Sequence, residues 1–275
     1  MDRWADAAIA HVRRRARGGP APRDLDVDVH LHPDRLRDGV TVVEALATGG
    51  VYRTQWETGT SNGGLTAVPG GDRDRWERRL FGGAYDTAPA AARPRYGALN
   101  WRRRAIGGGI RFGSSRLVLS VAARPRVTYC FPDSALEPQA FATDDRFALL
   151  PLAASSDLDP LDDAIEAHVH GGLDLARDVA RIVLDPSFRG TAVEDAARSL
   201  PVPLAWHPGL VLPIERLRRV PAYRGPDVVA LGERVAQHGL LDARIVGLAA
   251  ASGEHDPQVV KRLWHCVARW GAPIG

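Results

Sequence analysis

Two short segments alternate strictly between apolar and polar residues, and this alternation limits the possible folds more than any other feature. Leu25–His32 has leucine or valine at every second position, and Asp163–His170 repeats the pattern with isoleucine, alanine and valine. Successive side chains of a β-strand point to opposite faces, so each segment is predicted to be a strand with one apolar and one polar face. Both strands are expected to belong to one central sheet.

Further elements follow from amphipathic periodicity and from capping residues. The predicted helices are Ala5–Arg17, Arg35–Ala47, Asp72–Leu80, Val193–Leu200, Asp227–His238 and Pro257–Trp270, and the further predicted strands are Arg116–Val121, Arg126–Phe131 and Ala180–Leu184. Short strands dominate the middle of the chain and helices its ends, so the predicted class is α+β, with an antiparallel or mixed central sheet and the terminal helices outside it. The expected organisation is an amino-terminal helix and connector (1–24), an α+β domain (25–225) and a carboxy-terminal helical extension packed on that domain (226–275).

Composition argues against several classes of protein. With 45% hydrophobic and 25% charged residues, the chain of 275 residues has the make-up of a soluble globular protein. No apolar run of about eighteen residues occurs and no secretory signal pattern is present, which favours a cytoplasmic protein without a membrane partner. The two cysteines, Cys130 and Cys266, cannot build a disulfide framework. A net charge of +3 does not by itself indicate nucleic-acid binding.

The polar faces of the two alternating strands carry the candidate catalytic groups. One face has His30 and His32, the other has Glu166, His168 and His170, and neighbours on one face are about 7 Å apart. If the strands lie close together, these groups form one cluster. Glu166 is then the candidate catalytic carboxylate, stabilising positive charge on a sugar while imidazoles orient the substrate. The alternative is an ordinary solvated face of a sheet.

The same histidines allow a second kind of site. Neutral imidazoles two residues apart on a strand can bind one divalent metal ion, so the alternative ligand set is His30, His32, His168 and His170. His207 is an outlying candidate for a further ligand. An open position on such an ion would activate water, and the protein would then be a metal-dependent hydrolase.

The segment Tyr52–Gly64 concentrates hydrogen-bonding groups, aromatic rings and glycines, and it is predicted to line a pocket opposite Glu166. Its candidate binding residues are Tyr52, Arg53, Thr60, Ser61 and Asn62. The glycine spacing of P-loop enzymes and Rossmann dehydrogenases is absent, and so is the Gly-x-Ser-x-Gly motif of triad hydrolases. A third possibility is a non-enzymatic module that binds a partner protein through Tyr52–Trp56.

Nine ordered blocks carry a resemblance to a known family. They are His30–Arg35, Tyr52–Gly64, Gly70–Arg73, Phe81–Asp86, Arg93–Leu99, Arg111–Ser114, Asp133–Ser134, Glu166–Gly171 and Asp185–Phe188. Together they closely resemble the bacterial family of domain of unknown function 3626, over roughly Leu25–Gly225. Ser115 and Pro132 depart from the family's pattern, since cysteine and glycine respectively are usual there. The resemblance implies a family but no activity.

A weaker resemblance concerns the order of functional residues along the chain. A histidine leaving the first strand (His30 or His32), a tyrosine beside glycine (Tyr96–Gly97) and a glutamate on a late strand (Glu166) resemble the His, Tyr, Glu layout of ADP-ribosyltransferases. The resemblance implies a split mixed sheet that holds NAD as a substrate.

It also implies an NAD-using ADP-ribosyltransferase or NAD glycohydrolase acting on an unknown acceptor. Glu166, His32 and Tyr96 would then be catalytic. The implied ligand-binding residues are His30, Tyr52, Arg53, Thr60, Ser61, Asn62 and Gly97.

Overall fold

The computed structural model describes residues 2–59 and 67–273, and β-strands form its centre. The strands are β1 Val27–Leu31, β2 Leu36–Arg37, β3 Val40–Thr41, β4 Arg95–Leu99, β5 Ser115–Leu119, β6 Val127–Phe131, β7 Ala140–Thr143, β8 Ile165–Val169, β9 Val179–Leu184, β10 Leu204–Trp206, β11 Leu212–Pro213 and β12 Leu240–Leu241. Eight of them form one sheet in the order β10-β9-β5-β1-β4-β8-β6-β7. The pair β9 and β10 is parallel and the other pairs of this sheet are antiparallel, which confirms the predicted α+β class with a mixed central sheet.

Helices surround this sheet. They are α1 Arg3–Arg15, α2 Val42–Gly49, α3 Gln55–Thr58, α4 Asp72–Phe81, α5 Leu150–Ala154, α6 Leu175–Asp178, α7 Ala192–Arg198, α8 Ile214–Arg218, α9 Pro226–Val235, α10 Ala243–Ala251 and α11 Pro257–Trp270. In the described part of the chain, no helix is both long enough and apolar enough to span a bilayer.

The two faces of the sheet are buried by different elements. Alternate residues of β1 and its neighbours join a large apolar core to which α2, α7 and α9 to α11 also contribute. On the opposite face, α1 and α4 pack a smaller apolar cluster around Tyr85 and Cys130. All residues of β1 and of β8 are buried, so the polar side of these strands is not a solvated sheet face. Polar side chains held there must find partners inside the protein or in a ligand.

The structure differs from the sequence prediction in two places near β1. The predicted helix Arg35–Ala47 is wrong at its start, where β2 and β3 form a hairpin through Asp38 and Gly39 before α2 begins at Val42. Both turn residues have positive φ, at 52° and 79°, which a helix cannot include. The second difference is β4, whose sequence does not alternate and which was not predicted as a strand.

Strand β4 lies between the two strands that were recognised from their alternation. It pairs with β8 over its full length, from Arg95 to Leu99. With β1 it pairs only at Leu99 and Ala98, which face Val27 and Asp28. Beyond that point the two strands separate, and a cleft opens between them in the middle of the sheet.

Candidate functional site

The cleft between β1 and β4 is a cavity of about 520 Å³. Its lining includes Leu31, the last residue of β1, Gly97 in the middle of β4, and residues of the β2–β3 hairpin. The segment Tyr52–Gln55 forms part of the wall, and Glu166 also faces the cavity, from the strand beyond β4. This volume lies within the usual range for small-molecule sites, about 300 to 1,000 Å³.

The structure brings most of the sequence-predicted residues together at this cavity. Its lining includes the predicted Glu166, His32, Tyr96, His30, Tyr52, Arg53 and Gly97. Thr60, Ser61 and Asn62 lie outside the described residues. His168 and His170 do not line the cavity, because they lie behind Glu166 in the packed layer under α4.

Glu166 is buried, and both of its carboxylate oxygens accept hydrogen bonds. Oε1 accepts from His168 Nε2 at 2.8 Å, and Oε2 accepts from the Ser134 hydroxyl at 3.1 Å and the Ser134 backbone N–H at 3.3 Å. Burial alone would raise the pKa of Glu166, but the hydrogen bond from His168, followed by the charge of Arg73 and the hydrogen bond from Ser134, lowers that pKa below its usual value. The cavity is therefore bordered by an ionised carboxylate.

Behind Glu166 runs a buried chain of hydrogen bonds. Thr128 Oγ1 is 3.1 Å from His168 Nδ1 and 2.9 Å from His170 Nε2, and the Tyr85 hydroxyl is 2.7 Å from His170 Nδ1. One assignment of protons satisfies every atom with neutral rings: Tyr85 donates to His170, His170 to Thr128, Thr128 to His168, and His168 to Glu166. All four donors then point toward the carboxylate, an arrangement that stabilises its negative charge.

His30 on β1 and His32, directly after it, differ in whether their ring nitrogens are available to a ligand. His30 Nδ1 donates to the Gly113 carbonyl and Nε2 accepts from the Gly109 N–H, both at 3.1 Å. Burial lowers the pKa of His30 to about 3, and the two backbone groups hold it in one neutral form. In contrast, no described residue hydrogen-bonds to the imidazole of His32, which packs edge-on against Trp264 at 5.3 Å between ring centroids. Of the two, His32 is the one available to a ligand.

Tyr96 is fixed by a buried glutamate. Its hydroxyl donates to Glu77 Oε1 at 3.0 Å, and Glu77 also accepts from Trp56 at 3.0 Å and from Arg93 at 2.6 Å. Burial, followed by the charge of Glu77, raises the pKa of Tyr96 well above its usual value, so the phenol stays neutral. Tyr96 therefore lines the cavity with its hydroxyl already committed to Glu77.

Arg73 contributes a cationic group to the lining of the cavity. It lies in the first turn of α4, its guanidinium carbon is 4.1 Å from the centre of the Tyr96 ring, and it is only 7% exposed. Its Nε and Nη1 atoms are buried and find no hydrogen-bond partner among the described residues. Together, Arg73 and Glu166 give the cavity a cationic and an anionic group within one electrostatic neighbourhood.

The alternative metal site does not assemble as the sequence suggested. Among the described residues, the group whose ligand atoms lie close enough to share an ion is Cys130, Glu166 and His168. In this group the 2.8 Å separation of Glu166 and His168 is that of a hydrogen bond. His30 is committed to backbone groups, as described above. His207 is also committed, to the Ser114 carbonyl at 2.7 Å and to the Gly209 N–H at 3.0 Å.

Four residues of the site were not identified from the sequence. They are Arg73, Glu77, Thr128 and Ser134. Arg73 and Ser134 belong to two of the nine family-like blocks, and that membership was the signal that could have identified them. Glu77 and Thr128 carry no such signal, because the partners that define their roles come from other segments of the chain.

The fold and cavity together define an α+β protein with a cleft between two strands of a mixed sheet. The family model described as a protein of unknown function (DUF3626) matches residues 26–157 and 152–267. The chain belongs to this family. A search of curated proteins found no match.

Proposed function

We propose that the cavity binds NAD and that the protein transfers ADP-ribose from it to an acceptor or to water. The observation that carries this proposal is the convergence of His32, Tyr96 and Glu166 on one cleft. His32 directly follows β1, and Tyr96 and Glu166 belong to β4 and β8, so the three come from adjacent strands in the order His, Tyr, Glu. The resemblance to ADP-ribosyltransferases in the sequence rests on this same order.

In the proposed reaction, the bond between ribose C1′ and the nicotinamide nitrogen breaks and nicotinamide leaves as a neutral molecule. The acceptor's nucleophile forms a new bond to C1′ and loses its proton. Positive charge develops on the ribose as the old bond breaks, and an ionised carboxylate beside it lowers the barrier. Glu166 meets this requirement, because its lowered pKa keeps it charged at neutral pH.

The other two residues would orient the nicotinamide riboside. The Tyr96 ring lines the cavity beside Arg73 and would contact the nicotinamide, while its hydroxyl is already bound to Glu77. His32 presents an imidazole whose nitrogens bind no described residue, and burial lowers its pKa to about 3. A neutral imidazole can donate one hydrogen bond and accept another, which suits a ribose hydroxyl or a carboxamide.

Release of nicotinamide from NAD tests the proposal directly. Wild-type protein is expected to release nicotinamide, and Glu166→Gln to lower the rate at least a hundredfold, because the amide keeps the shape but removes the charge. Glu215→Gln, which changes an exposed glutamate of α8, is the matched control and should keep the wild-type rate.

Absence of both NAD binding and nicotinamide release in the wild type would refute the proposal. Elemental analysis of the same preparation tests the alternative function, that of a metal-dependent hydrolase. A stoichiometric metal ion that is lost in Cys130→Ser would support a metal site at Cys130, Glu166 and His168 instead.

A further inference from the structure

We infer that Arg73 is the anchor for a diphosphate group of the ligand. The inference rests on the proposed function, since it assigns part of the NAD molecule to a part of the cavity. It starts from an observation about the protein itself: a guanidinium that is 7% exposed carries two buried nitrogens without a partner among the described residues. Leaving buried donors of a charged group unpaired costs free energy, which a bound anion would recover.

The side chain is held in place without being neutralised. The ring of Tyr96 lies 4.1 Å from the guanidinium carbon and the ring of Trp76 lies 4.9 Å from it. These rings fix the position of the group through cation–π contacts. Tyr96 also forms a side-chain hydrogen bond with Arg73, but Nε and Nη1 stay without a partner among the described residues. Arg73 also makes no ion pair within 4.0 Å with a described carboxylate, unlike Arg93 from the neighbouring segment, which binds Asp74 and Glu77.

The surroundings of the cavity favour an anion. Its described lining includes Arg35, Arg37, Arg53, Arg73 and Arg95, against the carboxylates of Asp38 and Glu166. Arg37 pairs with Asp38, and Arg95 donates to backbone carbonyls. This leaves the guanidinium groups of Arg35, Arg53 and Arg73 without an ion pair within 4.0 Å to a described carboxylate. In Arg73, Nε and Nη1 also have no hydrogen-bond partner in the described part of the chain. A planar guanidinium with free donors binds two phosphate oxygens at once, which makes a diphosphate the best match.

The position of Arg73 relative to Glu166 also fits a dinucleotide. The diphosphate of NAD is attached at C5′ of the same ribose whose C1′ would face the carboxylate. The two groups that hold the diphosphate and face C1′ therefore have to line the same cavity. Arg73 and Glu166 both do, and the charge of Arg73 helps to lower the pKa of Glu166. The inference thus gives the ligand a direction, with its phosphates on α4 and its glycosidic bond on β8.

Binding of ADP, adenosine and inorganic pyrophosphate, measured by calorimetry, tests this without requiring turnover. Arg73→Met keeps an unbranched side chain against the two rings and removes the charge. It is expected to weaken ADP and pyrophosphate binding at least tenfold and to change adenosine binding less than twofold. Arg73→Lys keeps the charge but lacks the planar guanidinium, so its affinities for ADP and pyrophosphate should lie between those of the wild type and Arg73→Met. Arg75→Gln, on the same helix but exposed and paired with Asp72, should bind all three as the wild type does.

Thermal unfolding of the ligand-free variants separates binding from folding. If the unpaired nitrogens of Arg73 serve ligand binding and not folding, Arg73→Met should unfold at the wild-type temperature or above it. Equal ADP affinity in wild type and Arg73→Met would overturn the inference. A parallel loss of adenosine and ADP binding in Arg73→Met would also overturn it. Competition by glutarate but not by pyrophosphate would overturn it as well, because it would assign Arg73 to an acceptor carboxylate.

The outcomes remain distinguishable from those of the nicotinamide assay. Arg73-dependent ADP binding without nicotinamide release would support the anion site and refute ADP-ribose transfer. Nicotinamide release that depends on Glu166 but not on Arg73 would support ADP-ribose transfer and refute the anion site.

Discussion

His265 on α11 allows a quantitative test of how a buried histidine of this protein responds to acid. It is 6% exposed, its two ring nitrogens have no hydrogen-bond partner among the described residues, and His32 is an electrostatic neighbour. Burial, followed by the charges of Arg224, Arg111 and Lys261, lowers its pKa from 6.5 to about 2. The folded protein therefore keeps this ring neutral at pH values where the unfolded chain protonates it.

The sign and size of the effect follow from proton linkage. Below pH 6.5 the unfolded state binds a proton that the folded state does not, so the free energy of unfolding falls as the pH falls. From pH 7.5 to pH 5.5, one such histidine costs about 1.4 kcal/mol, since one pKa unit corresponds to about 1.36 kcal/mol. His265→Phe removes this contribution. Its loss of stability over the same interval should be smaller than that of the wild type by about 1.4 kcal/mol.

Urea unfolding of both proteins at pH 7.5 and 5.5 measures this difference. At pH 7.5 the ring is neutral in both states and no hydrogen bond is lost, so the variant should be at least as stable as the wild type. Two results would refute the reasoning. One is a difference between the proteins that stays the same at both pH values, and the other is a marked loss of stability of the variant at pH 7.5.

Two further predictions concern the strands that form the cleft. His168→Ala removes the hydrogen bond to Glu166 Oε1, so the acidic limb of the pH profile of nicotinamide release should move to higher pH, with kcat falling at least tenfold and KM for NAD nearly unchanged. A fall confined to thermal stability would instead make His168 a purely structural residue. Gly97→Ala should destabilise the protein by about 1 to 3 kcal/mol, because its Cβ would lie 2.3 Å from a carbonyl oxygen of β1. In Gly49→Ala the new Cβ meets no atom within 4 Å, and equal thermal unfolding of the two variants would refute the argument.

The alternation of apolar and polar residues predicted β1 and β8, but it did not reveal β4, whose composition is dictated by close packing. Strands β1 and β8 were recognised because their apolar residues repeat every second position. Strand β4 has no such pattern, since Arg95 turns to backbone carbonyls and Gly97 allows β1 to approach. A pattern of hydrophobicity reports which side chains meet the core, but it does not report where one backbone needs room for another.

The charged residues of α4 show a second limit of sequence interpretation. The segment Asp72–Phe81 has alternating acidic and basic residues and is typical of a solvated helix. In the structure Arg73 and Glu77 are buried, because Tyr96, Trp56 and Arg93 reach them from other parts of the chain. Local sequence does not contain these partners. The candidate carboxylate, by contrast, could be predicted, because Glu166 stands on a strand whose alternation is visible.

The charges around Glu166 suggest how ligand binding and the proposed chemistry are linked. In the free protein the carboxylate is stabilised by the hydrogen bond from His168 and by the charge of Arg73. A cation facing the site would oppose the positive charge that develops on a ribose, so Arg73 alone would be unfavourable for the proposed reaction. A diphosphate bound to Arg73 would cancel that opposition while leaving the hydrogen bonds from His168 and Ser134 in place. The phosphates would then contribute to the rate as well as to affinity, which is how binding energy distant from the reacting bond acts in catalysis.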